Sequence, residues 1–543
     1  MRNTLRLIMA SFVLAACGDD GGTAGTTDAV ADTSSTGATD SATSTIEDVA
    51  TDAATDTGGA TTIDAAGEVI DPQTVPLIGE VLTCGTRAEV GGVPRGDDLD
   101  RHTVDVAKFP DALCNDGSTA VFYYRPYEGE ANRDKWVIQL KGGGGCSDAV
   151  SCAQRWCSVL TLFGQTQMVD DINTPDLATI AGQGILARRD DNPWGDYHHV
   201  YIQYCSSDGW SGTARDAVLD TYHPCDPEKP DAKCPDGQAC PAAGQTNAGL
   251  CADVPVRYRV HFLGSRIVDA VITTLRQDGV AGPGGLPDLD AAEHVVFAGS
   301  SAGGQGVTAN LDRVAELLRE HNDACQGETC PLVVDGVIDS IFGPSVLGLD
   351  LTHHANCPAD QPELCTPEAY LERAYARELA GPLEPRPDAS CAAWHEANSP
   401  EDEWKCTEIA HVISHHITTP MFVRMGLVDQ LLMSSFLELG IRTPDGEPID
   451  QPIEYATLLH EQLEWFAGWS DEAEEAEVGM KAPGVFAPGC PKHETLSEDA
   501  AVYEARILFG GEHRRFFQVW RFWKDGGSPA VLVADTPEQS ICE

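Results

Sequence analysis

The chain alternates two hydrophobic patterns. Short β-branched or aromatic runs occur at Ala120–Arg125 (AVFYYR), Lys135–Leu140 (KWVIQL), His199–Tyr204 (HVYIQY), Val295–Ala298, Leu332–Ile338 and Met421–Leu427. Bounded by Gly, Pro, Asp and Ser, they predict buried strands. The first two, separated by a polar turn, are expected to pair as a hairpin. Apolar residues at helical spacing fill Arg257–Arg276 (Val260, Leu263, Ile267, Val268, Val271, Ile272, Leu275). The same spacing continues beyond Val307 (Leu311, Val314, Leu317, Leu318) and through Glu454–Trp469. Strands alternating with helices predict an α/β fold, a mainly parallel central sheet with helices on both faces.

Three segments break that rhythm. Residues 225–251 are rich in Pro, Asp, Gly and Cys, with no room for a core, and read as a stapled surface insertion. Cys357–Cys406, punctuated by Pro, reads as a cap over the sheet. At the N-terminus, Arg2 and Arg6 precede a short apolar stretch, Leu7–Val13, that ends in Leu14–Ala15–Ala16–Cys17. It is too short to span a bilayer, so residues 1–17 are expected to be a signal peptide. Its end resembles a lipobox, which makes Cys17 the expected lipidated residue; an ordinary signal peptide is the alternative. Residues 18–75 form an expected disordered acidic Thr/Ala/Asp tether, and 76–543 the catalytic domain.

Charge narrows the partners. With 35 Lys and Arg against 85 Asp and Glu, the formal charge is −50, which excludes nucleic acid and anionic membrane surfaces as partners. Membrane contact is expected only through the lipid anchor, and the chain is expected to be a monomer. Setting Cys17 aside leaves an even 18 of the 19 cysteines, and no C-x-x-C occurs. Disulfides in an oxidising compartment are therefore expected rather than a metal. This fits export to the bacterial cell envelope or beyond it.

The chemistry centres on His294–Gly306, HVVFAGSSAGGQG. An apolar strand stops at Gly299–Ser300–Ser301–Ala302–Gly303 and a helix begins. G-x-S-x-G at such a junction permits a strained turn that projects Ser301, while the Ala302 N–H at the new helix N-terminus faces a developing oxyanion. An ordinary Gly/Ser turn is the competing reading. Four glycines, Gly142–Gly145, follow the strand at 135–140; they lack the Gly-Lys-Ser/Thr of a phosphate loop and suit a second oxyanion donor, at Gly143 and Gly144. A flexible loop pinned by Cys146 and Cys152 is the alternative. Cys205–Gly212 follows another strand; Asp208 and Trp210 there either line the substrate pocket or close a turn.

A serine hydroxyl needs an imidazole to take its proton and a carboxylate to orient that imidazole. In the order Ser, acid, His, Asp429 lies just past the strand at 421–427 and His493 in a C-terminal Pro/Gly/Cys loop. Asp339 is the second candidate acid. His411, His415, His416, His460 and His513 are rival bases, the first four in patterns that suit structural histidines.

CNDGS at 114–118, LKGGGGC at 140–146, YCSSDGWSG at 204–212, GSSAGG at 299–304, NLDRV at 310–314 and His493–Glu494 occur in order. Together they resemble the pectin acetylesterase and Notum carboxylesterase family from about Cys84 to Cys542. The resemblance implies an α/β-hydrolase that cleaves carboxylic esters without a cofactor. Its triad falls on Ser301, Asp429 and His493, and its oxyanion donors on Gly143, Gly144 and Ala302. Two positions depart: Lys141 replaces an acidic residue and Gly145 an aromatic. The expected activity is a serine carboxylesterase acting on O-acyl, foremost O-acetyl, groups of a polysaccharide such as pectin. A deacylase of longer chains on lipid or protein, a catalytically silent glycan-binding lipoprotein, and a protease on the same fold are the competing functions.

Overall fold

The computed structural model describes residues 62–542 except 64–68, 83, 85–95, 160–163, 165–166, 171–177, 228–232, 242–248, 277–287, 327–328, 354–356, 358–360, 380, 469–482, 527–535 and 537–539. The expected signal peptide, Cys17 and most of the expected tether lie outside the described residues. Ordered structure begins before residue 76: Asp71 caps a short turn at Pro72–Thr74, and the Val75 carbonyl accepts a bond from Arg259.

The core is a sheet built from β1 (Leu99–Thr103), β2 (Val121–Arg125), β3 (Lys135–Leu140), β4 (Thr179–Ile180) and β5 (His198–Ile202). After a separate ribbon, β6 (Ala214–Pro224) with β7 (Leu250–Phe262), the sheet resumes with β8 (His294–Ser300), β9 (Val333–Asp339), β10 (Met421–Arg424) and β11 (Gly484–Phe486). The spatial order is β11-β10-β9-β8-β3-β5-β2-β1-β4. From β11 to β5 every pairing is parallel; β2, β1 and β4 extend the edge antiparallel. This confirms the mainly parallel α/β architecture.

Strand alternation divides the core into two layers. With the helix Ala149–Trp156 as α1, Val295 and Phe297 of β8 face one side with Ile138, Ile338 and Val423, packed against helices α2 (Gly264–Leu275) and α3 (Ala302–His321). Val296 and Ala298 face the other with Val137, Val337 and Phe422, covered by Phe516, Val519, Trp520 and Trp523 of the C-terminal helix (Phe516–Lys524). Helices on both faces follow directly from strands apolar on both faces.

Two expectations are corrected. Val121–Arg125 and Lys135–Leu140 are not a hairpin: β5 lies between them, pairing Ile202 with Phe122 on one side and His198 with Trp136 on the other. The expected helix over 257–276 begins only at Gly264. Val256, Tyr258, Val260 and Phe262 are buried in alternation, the period of the strand that pairs with β6.

Nine disulfides occur among the described residues: 84–157, 114–205, 146–152, 225–240, 234–251, 325–330, 357–365, 391–406 and 490–542. They use every cysteine but Cys17. The 225–251 insertion is the tip of the β6–β7 ribbon, stapled twice. The Cys357–Cys406 segment is largely helical, Pro367–Leu379 and Ala389–Asn398. It docks beside the loop after β5, where Thr213 N donates to the Leu383 carbonyl and Arg386 N to that of Ser211.

Candidate active site

Ser301 sits between β8 and α3 with φ 55° and ψ −126°, a conformation an L residue adopts only when its surroundings enforce it. Two glycines permit this. A Cβ on Gly299 would stand 2.2 Å from the Gly303 carbonyl oxygen, and one on Gly303 the same distance from that of Leu140. The turn is also tied to the next strand, because Ser301 N donates to the Asp339 carbonyl at 2.8 Å. Ser301 Oγ is buried and bonds no described residue. Ala302 opens α3, where an N–H has no intrahelical acceptor.

Asp429 is fully buried at the N-terminus of the helix Gln430–Glu438. Its Oδ1 accepts from Leu431 N and Leu432 N, and its Oδ2 lies 2.8 Å from His493 Nδ1. With Nδ1–H donating to Asp429, the proton-accepting nitrogen of His493 is Nε2. Burial works against the imidazolium, but the Asp429 bond and charge, with Glu494 and Asp339, raise the His493 pKa above its usual value. Backbone bonds from Leu427 N to the Pro488 carbonyl and from Gln430 N to that of Pro491 hold the two loops together.

Asp339, the second candidate acid, is fully committed elsewhere. Its carboxylate accepts from Arg424 Nη1 (3.1 Å), Thr495 N (2.7 Å) and Thr495 Oγ1 (2.8 Å). Thus Asp339 touches the Ser301 turn with its carbonyl and the His493 loop with its carboxylate. It positions both. The sequence held no sign of this double contact, which depends on β9 lying beside β8.

The glycine loop meets the same point. A Cβ on Gly142 would stand 2.1 Å from Glu494 Oε1 and 2.6 Å from the Ser300 carbonyl oxygen, so elbow, glycine loop and histidine loop converge there. Gly143 and Gly144 have φ 141° and 64°, which glycine adopts at little cost. Buried cations hold the loop: Arg155 Nη2 donates to the Gly143 carbonyl, and Lys141 Nζ to the Gly142 carbonyl and to Gln167 Oε1. Burial lowers the Lys141 pKa to about 8, opposed by the charge of Glu494. Arg155 was missed by the sequence reading, lying in a helix with no motif. At Gly145, one of the two positions that depart from the resemblance, a Cβ would meet the Ser207 carbonyl oxygen at 2.8 Å.

Asp208 and Trp210 take the turn-closing role. Asp208 accepts from Ser206 Oγ, Trp210 N and Gly264 N, and burial pushes its pKa up to about 6. Trp210 is wholly buried and donates its indole N–H to the Lys141 carbonyl. Both side chains are buried, with these polar atoms engaged within the fold. Of the rival bases, His411, His415 and His416 lie in and beside the helix Ile409–His415, His460 faces Glu464 one turn on, and His513 is on an exposed strand.

A sequence model of the pectinacetylesterase family matches residues 94–223. The chain is 27% identical over 429 residues to the palmitoleoyl-protein carboxylesterase NOTUM of Schmidtea mediterranea, covering 77% of this chain and 62% of that protein. It is 30% identical over 390 residues to notum1 of Xenopus laevis, covering 71% of this chain and 60% of that protein. It thus spans about three-fifths of the length of these relatives. The crystal structure of the Wnt deacylase Notum from Drosophila aligns over 81% of this chain and 96% of that one, with TM-score 0.50 and 24% identity, a likeness of fold. Motif order and these matches agree: the chain is similar to the pectin acetylesterase and Notum carboxylesterase family, on an α/β-hydrolase-like fold.

Proposed function

We propose that this protein is an exported serine carboxylesterase that removes O-acyl groups, foremost O-acetyl, from a polysaccharide. The observation that carries the reading is the Asp429–His493 pair, whose loop is tied through Asp339 to the strained G-x-S-x-G turn of Ser301. In this reading His493 Nε2 takes the Ser301 proton as Oγ attacks the ester carbonyl. The N–H groups of Gly143, Gly144 and Ala302 hold the oxyanion. His493 then protonates the leaving alcohol, and water, activated by the same imidazole, hydrolyses the acyl-enzyme. Residues alone supply this chemistry.

The relatives named as palmitoleoyl-protein carboxylesterases support a second reading, deacylation of longer chains on lipid or protein. A fluorophosphonate probe should label the chain and fail on Ser301→Ala. Absence of label on the folded protein would favour a silent binding protein instead. Turnover of acetylated pectin against esters of increasing acyl length separates the two substrates: a maximum at acetyl supports the first reading, a maximum at long chains the second.

A further inference from the structure

Away from the serine site, three histidines converge where the end of the Cys357–Cys406 segment packs against the helix that follows it. His395 comes from the helix Ala389–Asn398, His411 from the helix Ile409–His415, and His416 is the residue that ends the latter. The disulfide Cys391–Cys406 braces this region, fixing the first helix against the chain that leads to the second. One ligand-capable nitrogen from each of the three imidazoles lies within 4.8 Å of the others. His395 Nε2 and His411 Nε2 are 3.1 Å apart.

We propose that His395, His411 and His416 form a binding site for one divalent transition-metal ion of the zinc class. Two facing ring nitrogens at 3.1 Å are satisfied by a single shared proton, but His416 has no such arrangement. The residue is fully buried, and neither of its ring nitrogens has a hydrogen-bond partner among the described residues. A buried polar atom without a partner is costly, and a metal ion among the imidazoles would relieve it. Around zinc, bonds of about 2.0–2.1 Å in tetrahedral geometry place ligand nitrogens about 3.3–3.4 Å apart, so the His395–His411 pair need open by only a few tenths of an ångström.

Protonation and surroundings suit a metal. Nδ1 of His395 is 2.9 Å from Ser399 Oγ; donating its N–H there leaves the Nε2 lone pair directed at the cluster, as the outer partner of a metal-bound histidine does. Burial and the mutual repulsion of the rings keep His411 and His416 neutral, the form that ligates. The donor set is all nitrogen, which selects zinc, copper or nickel over calcium or magnesium. Cys391 Sγ lies within the same radius, but it is bound to Cys406 and has no thiolate to give. The fourth position is therefore left for water. His411 is only half-buried, which gives an ion a way in. The disulfide-bonded trio Cys225, Cys234 and Cys251 has no comparable claim. The cysteine spacing that argued against metal in the sequence did not bear on a site made of histidine alone.

The test uses the intact, oxidised chain stripped with EDTA, and neither readout depends on ester hydrolysis. Titration with Co2+ should give one saturating equivalent with a tetrahedral visible spectrum, displaced by Zn2+. His395→Gln and His416→Gln should each weaken binding by about 100-fold or more. In the unmutated chain, Zn2+ should raise Tm and EDTA should reverse the rise, a measurement that stands even where a variant fails to fold. Absence of a one-equivalent site in the unmutated chain, or binding by both folded variants as tight as that of the unmutated chain, would overturn the proposal.

Discussion

One carboxylate oxygen of Asp429 caps a helix while the other holds His493 Nδ1 at 2.8 Å. The same side chain thus fixes the start of the helix Gln430–Glu438 and the tautomer of the candidate base. This division makes Asp429→Asn a clean probe. Asn also caps helices well, so the fold should survive, but its amide can turn an N–H toward Nδ1 and so favour the wrong tautomer. Turnover should fall by about 10⁴ with substrate still bound, the loss seen in serine proteases for this substitution. By contrast, Asp339→Asn takes the counter-charge from buried Arg424 and should cost about 3–5 kcal/mol of stability. Steady-state kinetics beside urea unfolding would separate the two. Normal turnover in Asp429→Asn with none in folded Asp339→Asn would make Asp339 the acid.

The pH profile follows from the raised His493 pKa. Only the neutral imidazole accepts a proton from Ser301, so kcat/KM should fall as pH drops through that raised value. The acid limb should therefore lie above 6.5. Glu494 is one of the charges that raise it, so Glu494→Gln should move the limb downward. Rate profiles of the two proteins check this, and an unmoved limb would remove Glu494 from the account.

At Gly143, φ is 141° and a Cβ would stand 2.4 Å from Gln167 Oε1. Proline there would displace the whole loop, so it cannot isolate the loss of one N–H. Gly143→Ala is the milder probe: the strained φ should swing the N–H off the oxyanion and lower kcat by about 10²–10³. The Asp429–His493 pair should be untouched, so the His493 pKa, read by NMR titration, should stay put. Full turnover in the folded variant would take Gly143 out of the oxyanion hole.

The parallel core was legible because buried strands such as KWVIQL carry apolar residues on both faces, and G-x-S-x-G needs its strand and helix to make sense. Asp429 and His493 could be found because each stands at a boundary visible in the chain. Pairing was not legible. The β5 strand enters between β2 and β3 from more than fifty residues downstream, and no local signal forbids the hairpin. The misread helix at 257–262 had its sign in plain view: Val256, Tyr258, Val260 and Phe262 alternate with polar residues, a period of two that the later helix obscured. The bonds of Asp208 and Trp210 were not legible either, because only the fold brings Gly264 and Lys141 to their polar atoms.

Stability at low pH should depend on His199. It is fully buried; its Nδ1 accepts from Arg125 and its Nε2–H donates to the Trp194 carbonyl at 2.8 Å. Burial foremost, then the Arg125 charge, lowers its pKa to about 3 from the usual 6.5. Between those values the unfolded chain binds a proton there and the native chain does not. Stability therefore rises with pH across that window and is lost as pH falls from 6.5 toward 3, at up to about 1.4 kcal/mol per pH unit for this one proton. Asp208, whose pKa is raised to about 6 by burial, acts in the opposite sense between 3.8 and 6, so the total slope mixes several groups. A single substitution separates them. In His199→Gln the amide oxygen can accept from Arg125 and the amide N–H can donate to Trp194, which keeps both bonds and removes the titration. Unfolding free energies measured from pH 4 to 7 should fall less steeply on acidification in the variant than in the native chain. Equal slopes would mean that His199 is already protonated in the folded protein and that the Arg125 contact does not persist in solution.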